Sequence, residues 1–295
     1  MKVVGLLSGG KDSCFNLCHC ARNGHELVAL ATLVPPGGHD ELDSYMYQTV
    51  GHDAVHVVAA AIGVPLYRAT ITGAALDIDA EYGARTLDPN DETEDLFRLL
   101  VHVKAQHPDI EGVSVGAILS NYQRVRVEHV ARRRELGLVP LAYLWQRNQS
   151  SLLAEMATSG LVAALIKVAG IGLAERDLGK TLQQLQPKLE HLHALYDAHV
   201  CGEGGEYETL TLDAPIFRRR VDEVGTREPT IVRQGADRIL IQVPGIGSAE
   251  ELKQLIGTTA KLTFNPVVGR GTDPNARPGP GHVLLPSMDE PGVFY

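Results

Sequence analysis

Cysteine is scarce in this sequence: four thiols in 295 residues, at Cys14, Cys18, Cys20 and Cys201. So few and so clustered, they cannot staple a chain of this size, and they read as reduced, buried groups in a reducing compartment. Long apolar runs are also missing. The longest, Leu161 to Leu173, is interrupted by Lys167 and is too short to cross a bilayer. The opening Met1–Leu7 stops being apolar too soon for a signal peptide. Positive charge is in deficit, with 27 Lys+Arg against 36 Asp+Glu and a net charge of −9, which excludes a general nucleic-acid coat. What is present is apolar side chain: 44% hydrophobic residues against 21% charged exclude disorder for most of the chain. The expectation is a soluble, cytoplasmic, globular protein of one or two domains.

Up to about residue 142, short apolar runs alternate with helical stretches. Strands are expected at Lys2–Leu7, Glu26–Leu33, Pro65–Ile71, Val113–Val115 and Val139–Leu141. Helices are expected at Asp12–Arg22, Asp53–Ile62, Glu92–Gln106 and Tyr122–Leu136. That order implies an α/β fold, a doubly wound and mostly parallel sheet that binds ligands at the carboxyl ends of its strands. Beyond it, a smaller α+β domain is expected over 143–264, with helices at Ser150–Ser159, Leu178–His193 and Glu250–Gly257. Strands are expected at Val162–Val168 and Leu210–Leu212, and two short ones within Thr230–Val243. Residues 265–295 read as a Pro/Gly-rich tail.

The most informative segment is Ser8-Gly9-Gly10-Lys11-Asp12-Ser13, between the first strand and the first helix. Its glycines let backbone N–H groups approach an anion, and the helix start adds partial positive charge. Lys11 supplies a full cation, Ser8 and Ser13 supply hydroxyls, and Asp12 stands where it would hold Mg²⁺ against a phosphate. The spacing is not that of a Walker A loop. A tight capped turn is the plain alternative. Gly116-Ala117-Ile118, after the fourth strand, offers a second side-chain-poor surface for a nucleotide, and Thr32 ends the second strand where an adenine edge would meet it.

The loop resembles that of the ATP-pyrophosphatase (PP-loop) enzymes, of the adenine nucleotide α-hydrolase type. Four further stretches resemble the diphthine–ammonia ligases within them. The first is Glu41-Leu42-Asp43-Ser44-Tyr45-Met46-Tyr47-Gln48-Thr49-Val50-Gly51-His52, and the second runs from Gly116 to Glu128. The third is Leu141-Ala142-Tyr143-Leu144-Trp145. The fourth is the block from His199 to Phe217 around Gly202-Glu203-Gly204-Gly205-Glu206-Tyr207-Glu208-Thr209. The resemblance spans about residues 1–217. It implies ATP-dependent amidation of the diphthine carboxylate on elongation factor 2, with ammonium as nitrogen donor and AMP and pyrophosphate as products. It also implies ATP and Mg²⁺ at the site, while the short apolar runs and acidic balance argue for no membrane and no direct nucleic-acid partner. Ala131 stands where that family leads us to expect Cys.

On this basis Lys11, Asp12, Glu206 and Glu208 are the catalytic candidates, one of the two glutamates binding and deprotonating ammonium. A Mg²⁺ or trimethylammonium contact is the alternative role for these acids. Ser8, Gly9, Gly10, Lys11, Asp12, Ser13, Thr32, Gly116, Ala117 and Ile118 are the nucleotide candidates, with Asp12 as metal ligand. Tyr45, Tyr122, Arg124, Arg126, Glu203, Gly204, Gly205 and Tyr207 are the substrate candidates, the aromatic faces being suited to trimethylammonium. Arg124 and Arg126 lie two apart, so they point to different helix faces and can both enter one pocket only at the helix start; one of them is expected to steady a phosphate or the substrate carboxylate. Arg132, Arg133 and Arg134 read as a solvated helix face. His52 and His56 have zinc-protease spacing, but Asp53 stands where the general-base Glu would be, so they read as ordinary helix histidines. A PP-loop tRNA-modifying enzyme and a catalytically silent scaffold are the alternatives. Charge and thiol pattern disfavour the first, and the intact loop and acidic block disfavour the second.

Overall fold

A computed structural model describes residues 1–36, 46, 51–79, 82, 88–170, 172–224, 230–234 and 238–242. The chain divides into two units, Met1–Ala249 and Glu250–Tyr295, and all described residues belong to the first. The expected helix Glu250–Gly257 and the tail therefore lie outside the described residues, as do Tyr45 and Tyr47.

Five parallel strands form the main sheet: β1 (Lys2–Leu6), β2 (Glu26–Val34), β3 (Leu66–Thr70), β4 (Gly112–Ser114) and β5 (Val139–Leu141), in the order β3-β2-β1-β4-β5. Val3 and Val4 have no exposed surface, which is what a parallel strand covered on both faces requires. Alternation sorts the rest. Val4, Ala29, Ala31, Leu33 and Val113 pack with α3 (Glu92–Gln106) and α4 (Asn121–Ala131) on one face. Leu30 and Leu7 pack with α1 (Lys11–Arg22), α2 (Val55–Ile62), α5 (Gln149–Thr158) and α6 (Leu182–Tyr196) on the other. The expected doubly wound sheet is present. Its direction of winding reverses between β1 and β4, which opens a crevice beyond their carboxyl ends.

A second, antiparallel pair joins β6 (Val162–Val168) to β7 (Tyr207–Asp213). The chain then runs back over α2, where Arg218 N–H donates to Ala61 O at 2.8 Å. Ile216, Phe217 and Val221 pack on the same core. A separate hairpin pairs β8 (Thr230–Gln234) with β9 (Arg238–Gln242), as the two expected short strands.

Two helix boundaries correct the sequence reading. The basic helix ends at Ala131 rather than Leu136, and the chain turns back through Gly137 at φ 57° so that Leu138 N–H reaches Ala131 O. Arg133 is consequently not on a solvated face. Its guanidinium forks onto Glu94 at 2.6 and 2.7 Å and lies 4.5 Å from the Phe97 ring. Helix α6 starts at Leu182, four residues late, because Thr181 and Gln184 form a reciprocal capping box. The preceding turn is held by buried Asp177, which Lys180, Lys188 and the Ala174 N–H contact. Against burial, these partners hold its carboxyl down at about 2.

All four cysteines are free and buried, and burial raises each thiol: Cys14 and Cys201 to about 12, Cys18 to about 11, and Cys20 in the same direction. Among the described residues no helix is long and apolar enough to cross a membrane.

Candidate functional site

The loop leaving β1 turns at Gly9, whose φ of 83° is cheap only for glycine, and enters α1 at Gly10. Ser8 and Ser13 brace the turn. Their hydroxyls are 3.1 Å apart, Ser13 Oγ donates to Gly10 O at 3.1 Å, and Gly10 N–H donates to Ser8 Oγ at 3.3 Å. The first-turn N–H groups of Asp12 and Ser13 have no intrahelical acceptor, and such a helix start favours an anion. Gly116 lies against this turn. A Cβ there would stand 2.7 Å from both Asp12 C and Ser13 N, so only glycine admits so close an approach.

Lys11 is buried, with its ammonium 2.7 Å from Asp12 Oδ2 and 5.1 Å from the centre of the Tyr207 ring. Burial disfavours its charge, but Asp12 and Tyr207 outweigh that and hold its pKa above the ordinary lysine value. Asp12 is drawn both ways. Burial and Glu203 push its carboxyl up, Lys11 pulls it down, and the balance is upward. Asp12 Oδ1 is buried and meets no protein donor, so a cation lying beside a phosphate would fit it. Among the described residues no group of three or more His, Cys, Asp or Glu is placed to hold a metal alone.

The segment from His199 to Thr209 covers this turn. Tyr207 is buried and its hydroxyl donates to Val200 O at 2.7 Å. Glu203 reaches across to the sheet domain, where its Oε2 accepts the Leu119 N–H at 2.9 Å. Between these segments lies a cavity of about 350 Å³. Its polar side is Ser8, Lys11, Asp12, Ser13, Glu203 and Glu208, and its apolar end is Ala31, Leu33, Leu96 and Leu99. Thr32, Gly116, Ala117, Gly205 and Tyr207 also line it. The arrangement joins a helix start suited to an anion, an apolar end and the three carboxylates of Asp12, Glu203 and Glu208 in one crevice.

Several predicted site residues are not brought to the cavity. Both Glu206 oxygens are spent on its own loop, Oε1 accepting His199 N–H and Oε2 accepting Gly204 N–H, each at 2.8 Å. Its backbone carbonyl accepts Ala169 and Gly170 N–H at 2.9 Å. Glu206 is thus a clasp, and of the two glutamates proposed for ammonium only Glu208 lines the cavity. Gly204 belongs to that clasp. Ile118 is wholly buried in the core, and Gly9 and Gly10 shape the turn without lining the cavity.

Arg124 pairs with Glu128 at 2.6 Å and Asn121 at 2.9 Å, over the Trp145 ring. Arg126 has no exposed surface and donates to the backbone carbonyls of Tyr122, Asp77 and Asp79. Its guanidinium lies 3.3 Å from the Tyr122 ring centre, which occupies that aromatic face, and the Tyr122 hydroxyl donates to Glu92 at 3.2 Å. Neither arginine nor Tyr122 lines the cavity. Tyr207 does, but its face is turned to Lys11 rather than left open for trimethylammonium. Conversely, Met46, Gln123 and Val127 line the cavity without having been predicted. Met46 lies within the quoted segment Glu41–His52, and the other two lie on the helix that carries Arg124.

A model of the diphthamide synthase N-terminal domain matches residues 1–140, and one of the C-terminal domain matches residues 148–239. A diphthine–ammonia ligase of Danio rerio is 57% identical over 224 residues, 75% of this chain and 86% of the relative. One from Homo sapiens is 55% identical over 225 residues, 75% of this chain and 82% of the relative. One from Schizosaccharomyces pombe is 55% identical over 221 residues, and there the match spans only 36% of the longer relative. The C-terminal part carries a different likeness. Residues 213–269 match a model of the N-terminal part of the P1 domain of the protein translocase subunit SecDF. A SecD subunit of Rhodobacter capsulatus is 40% identical over 176 residues, covering 52% of this chain and 32% of that protein.

Proposed function

The chain belongs to the diphthamide synthase family, the enzymes of the final step of diphthamide synthesis, and from that premise we propose that it joins ammonia to the diphthine carboxylate of elongation factor 2. ATP is cleaved to AMP and pyrophosphate in the process. The observation that carries this reading is the meeting of the Ser8–Ser13 turn with the Gly202–Thr209 segment on one cavity at the switch point of the sheet.

Adenosine lies across Gly116 and Ala117 with its base toward Thr32, Leu33 and Leu96. The β- and γ-phosphates lie on the Ser8–Ser13 turn, where Lys11 and the helix start balance their charge. Asp12, with its unpartnered Oδ1, would hold Mg²⁺, which would supply neutralisation of the charge that builds on the leaving pyrophosphate. A carboxylate oxygen of diphthine attacks the α-phosphorus, and the bond to the bridging oxygen breaks as pyrophosphate leaves. Ammonium loses a proton to Glu208, and the ammonia so formed attacks the acyl carbon. The nitrogen sheds a second proton as the bond to the AMP oxygen breaks, leaving the amide. Free ammonium is the nitrogen source, the protein works in the cytoplasm, and its macromolecular partner is the modified factor rather than nucleic acid. The nucleotide-binding part is residues 1–142, and the part that receives the substrate begins at 143.

The test is incubation with ATP, Mg²⁺, ammonium and diphthine-bearing elongation factor 2, followed by mass spectrometry of the factor and chromatography of the nucleotides. Acid should become amide with one AMP released per amide, and ADP in its place would contradict the reading. In the same assay Glu208→Gln should lower amide formation at least about 100-fold while pyrophosphate release continues, the usual span for a lost general base. Unchanged amide formation would remove Glu208 from that role.

A further inference from the structure

Helix α1 begins without a cap of its own, because the residue at its N-cap, Gly10, has no side chain to offer. The missing acceptor comes from 198 residues further along the chain, where Thr209 Oγ1 accepts the Lys11 N–H at 3.0 Å. Thr209 is 3% exposed and Lys11 4%, so water does not replace that bond. One strand repeat later, the Thr211 N–H donates to Gly9 O at 2.8 Å. One repeat earlier, the Tyr207 ring faces the Lys11 ammonium. Residues 207, 209 and 211 share one face of β7, and each touches the turn of residues 9–11. The same strand is continuous with the loop that carries Glu203 and the Glu206 clasp.

We propose that Thr209 is a positioning residue for the pyrophosphate of the reaction, its hydroxyl capping α1 in trans and fixing the turn of residues 8–13 to the strand that carries Glu208. The inference rests on the assignment of that turn to pyrophosphate made above. Thr209 touches no reacting atom and acts through the Lys11 backbone. With the hydroxyl replaced by a methyl group, the Lys11 N–H points at hydrocarbon, and the turn can recover an acceptor only by moving. The anion-binding N–H groups move with it. The apolar slot for the base, built on β2 and α3, does not.

The experiment compares full-length wild type, Thr209→Val and Thr209→Ser by calorimetric titration with pyrophosphate and, separately, with AMP, alongside thermal melting. Thr209→Val should bind pyrophosphate about tenfold more weakly, the ratio to which a lost side-chain cap corresponds. AMP affinity should stay within about twofold of wild type, since its base slot is intact. Thr209→Ser should restore pyrophosphate binding. Pyrophosphate binding by Thr209→Val equal to wild type, equal weakening of both ligands, or failure of Ser to rescue would each overturn the inference. If Thr209→Val does not fold, Thr209→Ala takes its place under the same criteria. If neither folds while Thr209→Ser does, the hydroxyl serves folding and the positioning role is overturned. Wild type that fails to bind pyrophosphate would instead overturn the assignment of the turn itself, a separate and recognisable outcome.

Discussion

Asp12→Asn is expected to lower AMP formation about a thousandfold, the span found when one preorganised electrostatic group is removed from a reacting site. Asn is the informative replacement because its amide oxygen can still accept from Lys11 Nζ, which wild type holds at 2.7 Å. Ala would leave a buried ammonium without an acceptor and mix a folding defect into the result. What Asn removes is the charge and the second oxygen, the buried Oδ1 that no protein donor meets. Lys11 also loses the strongest influence holding its pKa up, so part of the defect should appear as a lower pH limit for pyrophosphate binding. Labelled ATP with separation of the nucleotides reads the effect. AMP formed at the wild-type rate would remove Asp12 from the reacting site.

Gly116→Ala is the second large effect, and it acts from outside the loop. Its new Cβ would meet Asp12 C and Ser13 N at 2.7 Å and Asp12 O at 2.9 Å, all of them backbone atoms that no side-chain rotation can withdraw. The first turn of α1 must therefore shift. A displacement near 1 Å at a reacting site costs about 100-fold in rate, and overpacking of this kind costs about 1–3 kcal/mol of stability. Amide formation should fall by that factor together with a lower melting temperature. A Gly116→Ala protein with wild-type turnover would mean that the loop tolerates a different position, against the close fit described above.

The contrast between what the sequence disclosed and what it withheld follows from the range of the interactions. The strand, the glycine turn and the helix start at residues 2–13 are local, so periodicity and residue type suffice to place them. Spacing puts Arg124 and Arg126 on different sides of α4, yet neither reaches the cavity. Spacing could not reveal that Arg126 is satisfied by the carbonyls of Asp77 and Asp79, 49 and 47 residues away. Glu206 misled for another reason. Three acids within six residues look alike in sequence, and only the path of the loop decides which side chain folds back onto its own N–H groups and which faces the cavity. Nothing local marks Thr209, because its partner is 198 residues distant. The end of α4 at Ala131 is not legible in the sequence because Arg132–Leu136 has good helix propensity, which the Arg133–Glu94 fork and the Gly137 turn override.

The claim at the centre of this account is that the diphthine carboxylate itself attacks the α-phosphorus. Its most direct test is to label both carboxylate oxygens of diphthine with ¹⁸O and run the reaction with ATP and ammonium to completion. The account predicts one ¹⁸O in each AMP released, one retained in the amide, and none in pyrophosphate. Label in inorganic phosphate with ADP as the nucleotide product would mean an acyl phosphate and attack at the γ-phosphorus. That result would contradict the account.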